Sequence, residues 1–205
     1  QRQMCIRDRM STNFGDRIYR VSMQLVTMKD VVNEARILEN VDADINLVAM
    51  FFYDETELQE YIQKNEDDKL VVALAYLDNY EEALEGVEEV RRSLLIALID
   101  RKITKYFSNF DGLVRKLERD KYFLIMRQSS LEALKEQRFH ILDEVKTVNI
   151  GNEMAVTLSI GIGLNGANYL QNYEYCRIAI EMALGRGGDQ VVIKLSLIHI
   201  SEPTR

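Results

Sequence analysis

Leu70-Val-Val-Ala-Leu-Ala-Tyr-Leu77 runs for eight residues without a charged or amide side chain. A strand of that pattern has both faces out of water, so it needs packed layers on either side of its sheet. The downstream sequence can supply them. The spacing of Val87, Val90, Leu94, Leu95 and Leu98 predicts a helix over 80–103. Strand candidates lie at 103–109 and 113–117, the polar break Glu118-Arg-Asp-Lys121 reads as a hairpin, and 122–126 is the next strand. A helix over 129–146, a strand over 155–161, a helix over 168–184 and a strand over 191–193 complete the series. The order β-α-β-β-α-β with a further α-β defines an α/β (α+β) chain with a ferredoxin-like core.

Ahead of the apolar run, 17–28 and 46–53 read as half-buried strands, and a short helix-like run lies between Lys29 and Asp44. Asp54-Glu-Thr-Glu57 opens a helix with acidic residues near its positive end. At the termini, Met4-Cys-Ile-Arg-Asp-Arg9 and the segment 195–205 resemble translated sequencing adapter, so neither flank enters the fold prediction. The expected organisation is therefore a flank at 1–9, a partial domain at 10–57, a linker helix at 58–68, a second domain at 69–194 and a flank at 195–205.

Charge narrows the function. Thirty-three acidic against 26 basic residues in 205 leave a net −7, which disfavours a nucleic-acid partner, and no apolar run is long enough to cross a bilayer. Two cysteines, Cys5 and Cys176, make neither a disulfide framework nor a zinc site. His140, the one histidine outside the flanks, reads as an ordinary helix residue, and Cys176 as a small packing residue.

Three segments carry a family resemblance: Leu74-Ala-Tyr-Leu-Asp78-Asn-Tyr80, the hairpin Glu118-Arg-Asp-Lys-Tyr122, and Ala183-Leu-Gly-Arg-Gly-Gly-Asp-Gln190. Residues 69–194 resemble the GGDEF domain, a nucleotide-cyclase fold, and more narrowly the degenerate form in GdpP-type cyclic-di-AMP phosphodiesterases. Residues 10–57 look like the end of a PAS domain. The resemblance implies a longer parent, anchored at the cytoplasmic side of the membrane, with a C-terminal DHH/DHHA1 hydrolase that uses Mn ions and with haem among the ligands its PAS domain takes. It assigns no cofactor and no membrane contact to this segment, and it implies homodimerisation.

The resemblance also implies which cyclase parts are gone. Tyr76 stands at the family's metal-binding Asp, Leu84 at the guanine-reading Asn, and Glu118 and Arg119 at the two signature glycines. Asp120 keeps its acidic position while Lys121 reverses the charge of the next, and Asn109 and Gly112 replace the inhibitory product site. The expectation is a regulatory module without catalytic or metal-binding residues of its own. Asp78, Arg119, Asp120 and Lys121 form a remnant site for ATP or GTP; weak ATP hydrolysis is the alternative, and active cyclase chemistry a distant third. Gly187-Gly-Asp-Gln190 lies between a helix and the last strand, which makes it a helix-ending turn rather than the signature itself.

Overall fold

The computed structural model describes residues 9–27, 46–85 and 87–195, and the chain divides into compact units at 1–65 and 66–205. Of the adapter-like flanks 1–9 and 195–205, residues 1–8 and 196–205 lie outside the described residues, as does the helix-like run at 29–44, whereas Arg9 and Leu195 belong to strands.

The first unit is an antiparallel meander of β1 (Arg9–Phe14), β2 (Arg17–Thr27) and β3 (Asn46–Asp54). Gly15 at φ +61° makes the two-residue turn that pairs Phe14 with Arg17, a conformation glycine adopts without steric cost. The start of helix α1 (Thr56–Asp67) explains the Asp54-Glu-Thr-Glu57 motif. Asp54 Oδ1 accepts from Thr56 N at 3.1 Å and from Thr56 Oγ1 at 2.6 Å, Thr56 Oγ1 accepts from Ile18 N at 3.0 Å, and Asp54 Oδ2 pairs with Arg17. One carboxylate thus caps the helix and joins it to β2. The Thr56 hydroxyl, its backbone N–H and Arg17 hold the Asp54 carboxyl below the usual carboxylate range.

The second unit is built on β4 (Leu70–Leu77), which is buried throughout except at exposed Leu70 and half-buried Tyr76. It sits centrally in the order β5-β6-β4-β7-β8, with β5 (Leu113–Lys116), β6 (Lys121–Arg127), β7 (Leu158–Leu164) and β8 (Val191–Leu195). All pairs are antiparallel except β7 with β8, which are parallel. The four strands β7-β4-β6-β5 have the order and directions of a ferredoxin-like sheet.

One face of the sheet carries the large core: Val71, Ala73, Ala75 and Leu77 of β4 pack with Leu95, Ile99, Ile103 and Phe107 of α3 (Glu89–Ser108). The other face is covered by α6 (Tyr169–Gly185), whose Cys176 and Ile180 pack with Val72 and Leu74 of β4. Between β4 and α3 lies the single turn α2 (Tyr80–Leu84). Helices α4 (Gln128–Glu136) and α5 (Ile141–Lys146) come after β6.

Several expected boundaries move. The helix predicted over 80–103 is broken at Glu85, whose backbone is extended, so α2 and α3 are separate. The strand candidate at 103–109 is the end of α3. Its aromatic and β-branched residues suggested a strand, yet Ile103, Tyr106 and Phe107 recur at helical spacing and all three are buried. Val90 and Leu94, expected on the buried stripe, are exposed. The helix predicted over 129–146 divides because Arg138 and Phe139 take left-handed backbone, which seats Phe139 in the core and leaves His140 exposed at the start of α5. The strand expected at 155–161 runs over Leu158–Leu164, because the Asn79 side chain donates to Ala155 O and accepts from Thr157 N, holding 155–157 as a loop.

Cys176 is fully buried, and its thiol donates to Gly161 O at 3.0 Å. Burial pushes the thiol up from 9.0 to about 12. In a Cys5→Ser chain, iodoacetamide at mildly alkaline pH is expected to leave Cys176 unmodified until denaturant is added; labelling of the native chain at the denatured rate contradicts this burial. The unfolded thiol ionises first, so its contribution to stability is complete below about pH 9 and drains away as pH rises toward 12. Denaturation midpoints measured across that range should therefore fall.

Candidate nucleotide site

The end of β4, the first turn of α2 and the β5–β6 hairpin meet at one corner of the second unit. The hairpin closes through Leu117 N and Glu118 N, both donating to Lys121 O, and Leu77 N donates to Asp120 O at 2.9 Å, which docks the hairpin on β4. The corner forms a cleft of about 590 Å³ lined by Leu77, Asp78, Tyr80, Glu118, Arg119 and Asp120, together with Glu81 and Glu82. Next to it, a cleft of about 750 Å³ shares Tyr80, Glu118 and Arg119 and adds Leu84, Arg92 and Lys116.

Three of the four expected remnant residues, Asp78, Arg119 and Asp120, line the first cleft; Lys121 does not. Alternation along β6 sends Tyr122 into the large core and Lys121 to the opposite face, where its register partner on β4 is Tyr76. Lys121 Nζ sits 5.5 Å from the Tyr76 ring centroid and 2.6 Å from Glu118 Oε2. The hydrogen bond to Glu118 raises the Lys121 pKa, so the ammonium is kept.

Asp78 is already engaged. Its Oδ2 accepts from Asp189 N at 2.8 Å, and a Cβ on Gly188 would stand 2.6 Å from that oxygen. The turn Gly187-Gly-Asp-Gln190 therefore ends α6, as expected from its place in the chain, with Gly187 at φ +102° and Gly188 at φ +77°. It also clamps onto the end of β4, and Asp189 Oδ2 continues to Lys146 Nζ at 2.6 Å. Sequence reasoning missed Asp189 and Lys146, since no local pattern joins Asp78 to a residue 111 positions away.

Electrostatically the smaller cleft presents five carboxylates, Asp78, Glu81, Glu82, Glu118 and Asp120, against the Arg119 guanidinium. In the neighbouring cleft Lys116 is paired with Asp100 and Arg92 Nε donates to Val87 O. Arg119 has no ion-pair or hydrogen-bond partner among the described residues, which makes it the cation most available to a phosphate.

A divalent ion of the cyclase type does not fit these residues. The two positions that the resemblance assigns to metal carboxylates hold the facing phenol of Tyr76 and ammonium of Lys121. No cluster of three or more His, Cys, Asp or Glu residues suited to a metal occurs among the described residues. Leu84, at the position that the resemblance gives to a base-reading amide, is half-buried and packs against the core.

Residues 75–199 match the family described as "Cyclic-di-AMP phosphodiesterase GdpP-like, GGDEF domain". The chain is 33% identical over 145 residues to cyclic-di-AMP phosphodiesterase PdeA of Listeria monocytogenes and 30% identical over 145 residues to cyclic-di-AMP phosphodiesterase GdpP of Geobacillus thermodenitrificans. Each alignment takes in 71% of this chain and 22% of the relative, so the chain spans about a fifth of their length. Among solved structures, the active GGEEF domain of a diguanylate cyclase from Vibrio cholerae superposes with a TM-score of 0.53 at 12% identity, covering 66% of this chain and 89% of that one, a likeness of fold alone. No helix among the described residues is long and apolar enough to cross a membrane. The sheet order, the hairpin at the end of β4 and the family match over 75–199 together show that the chain belongs to the GGDEF domains of GdpP-like cyclic-di-AMP phosphodiesterases.

Proposed function

We propose that residues 69–194 are a degenerate GGDEF module, without diguanylate cyclase activity, that regulates a cyclic-di-AMP phosphodiesterase. The observation that carries this reading is the Tyr76–Lys121 pair. Cyclisation of two nucleoside triphosphates needs cations against the triphosphate charge, and at this position the protein places its own ammonium over a phenol in place of metal-binding carboxylates. In the parent, the module relays signals from a PAS domain, of which 10–57 is the end, to a DHH/DHHA1 hydrolase at the cytoplasmic side of the membrane. Mn belongs to that hydrolase and haem to the PAS domain, and relay proceeds within a homodimer.

Within this reading ATP or GTP binds at the paired clefts. Arg119 takes a phosphate oxygen, and the base lies against Tyr80 and Leu84. The surrounding carboxylates repel the phosphates and make that binding weak. Calorimetric titration of the chain with ATP and GTP, with and without Mg²⁺, followed by product analysis, tests it. The expected result is weak binding, reduced about tenfold in Arg119→Gln through loss of one charged hydrogen bond, and no cyclic dinucleotide. Cyclic-di-GMP made from GTP would overturn the reading, and steady ATP turnover would replace it with a nucleotidase.

A further inference from the structure

On one side of the second unit the sheet is wider than its cover. α6 packs mainly on β7, β8 and β4, and it reaches β6 through the Tyr173 ring against Phe123. Directly opposed side chains on paired strands share a face, so Leu113 with Ile125 and Arg115 with Phe123 lie on this side of β5 and β6. Lys121 joins them through its pairing with Tyr76. Leu113 is 61% exposed, and Phe123 and Ile125 are half-buried. With strands about 4.8 Å apart, the open strip between α6 and the β5 edge is about 10 Å across, the width of one helix.

The strip is apolar in its floor and positive around it. Arg115 is exposed and has no ion-pair or hydrogen-bond partner among the described residues. The Lys121 ammonium is shared with Glu118.

The outer side of α6 has the opposite charge. Leu170, Glu174, Ile178 and Glu181 follow at spacings of four, four and three residues, so they form one stripe, turned away from the buried Cys176, Ala179 and Ala183. Leu170 and Ile178 are 68% and 38% exposed. Both glutamates are exposed and have no cation partner among the described residues. An apolar strip with cations thus stands beside a helix that presents an apolar stripe with carboxylates, and a surface of this kind is complementary to a second copy of itself.

We infer that two copies of the chain pair about a two-fold axis through this face, with the α6 of each lying over β5 and β6 of the other. Each sheet is then covered by two helices, its own and its partner's. Leu170 and Ile178 of one copy meet Leu113, Phe123 and Ile125 of the other, and the glutamates meet Arg115 and Lys121. The 17 residues of α6 make a footprint of about 25 Å by 10 Å, so two such contacts bury on the order of 1,000 Å², the lower limit for a specific interface. This names the surface of the homodimer in the proposed function and rests on that reading for the second copy as partner.

Sedimentation velocity of the full 205-residue chain over a concentration series reads the pairing, with circular dichroism to establish that each variant is folded. The unsubstituted chain is expected to dimerise. Arg115→Glu with Lys121→Glu in one variant, and Glu174→Arg with Glu181→Arg in another, should each raise the dimer dissociation constant at least about a hundredfold, about tenfold for each of the two equivalent contacts. An equimolar mixture of the two variants should recover the original affinity, because one contact is then unsubstituted and the other is reversed on both sides. A chain that stays monomeric at about 100 μM overturns the inference. So does a mixture of folded variants that associates no more tightly than either alone. A dimer that neither variant weakens means that the copies meet on another surface, which overturns this interface and leaves the homodimer standing.

Discussion

Gly163→Ala is expected to unfold the second unit or come close to it. Gly161 and Gly163 lie on the face of β7 that meets α6, and the helix backbone rests directly on them. A Cβ at Gly163 would overlap Asn172 O and stand 2.7 Å from Cys176 N; at Gly161 it would overlap Ile180 N and stand 2.7 Å from Cys176 O. These obstacles are backbone atoms, so no side-chain rotation relieves them, and α6 must lift from the sheet. Overpacking ordinarily costs about 1–3 kcal/mol, and displacement of a whole helix puts this change at or above the top of that range. Against the roughly 5–15 kcal/mol that holds a domain together, that is a large share. Gly185→Ala is the control: nothing lies within 4 Å of its Cβ, and at a helical position alanine should stabilise by up to about 1 kcal/mol. Urea melts of these variants beside the unsubstituted chain check the argument; a Gly163→Ala chain that melts with the unsubstituted one would mean that α6 does not sit on β7 this closely.

The second large effect is expected at Tyr122 and Asp100. Tyr122 is 2% exposed, and its hydroxyl donates to Asp100 Oδ1, which also accepts from Lys116 Nζ at 2.8 Å. Burial and this hydrogen bond push the phenol pKa up. Asp100→Ala strands a buried donor, an expected loss of about 2–3 kcal/mol, whereas Tyr122→Phe removes donor and demand together and should lose less, about 1–2 kcal/mol. The two losses should combine less than additively, because the double variant leaves no orphan. Calorimetric or urea midpoints for the three variants decide it, and strict additivity would show that the hydroxyl and the carboxylate do not act as a pair. The raised phenol pKa has the same sign as that of Cys176, so both groups make the fold less stable in alkali.

Much of the second unit was legible because its signals are local. The apolar run at 70–77 announced a strand covered on both sides, and β4 is that strand. The polar break at 118–121 marked the hairpin, and the glycines at 187 and 188 marked the end of α6. Errors arose where two periodicities fit the same residues. The segment 103–109 is rich in aromatic and branched side chains, so composition favoured a strand, while its burial follows the helix. The division between α4 and α5 contains neither glycine nor proline, and it forms because Phe139 gains a place in the core.

The site was legible in identity more than in arrangement. That Tyr76, Leu84 and Lys121 cannot do what a carboxylate, an amide and an acid do is a consequence of their side chains alone, whatever the fold. Where those side chains point is not. Lys121 leaves the cleft that holds Arg119 and Asp120 because strand register pairs it with Tyr76, and Asp78 is engaged by Asp189 because the end of α6 returns to the end of β4. Residue chemistry and short-range periodicity are properties of the chain itself, and they determined the family and the core strand. Register, close packing and charge pairing are properties of distant segments brought into contact, and only the tertiary structure decided them.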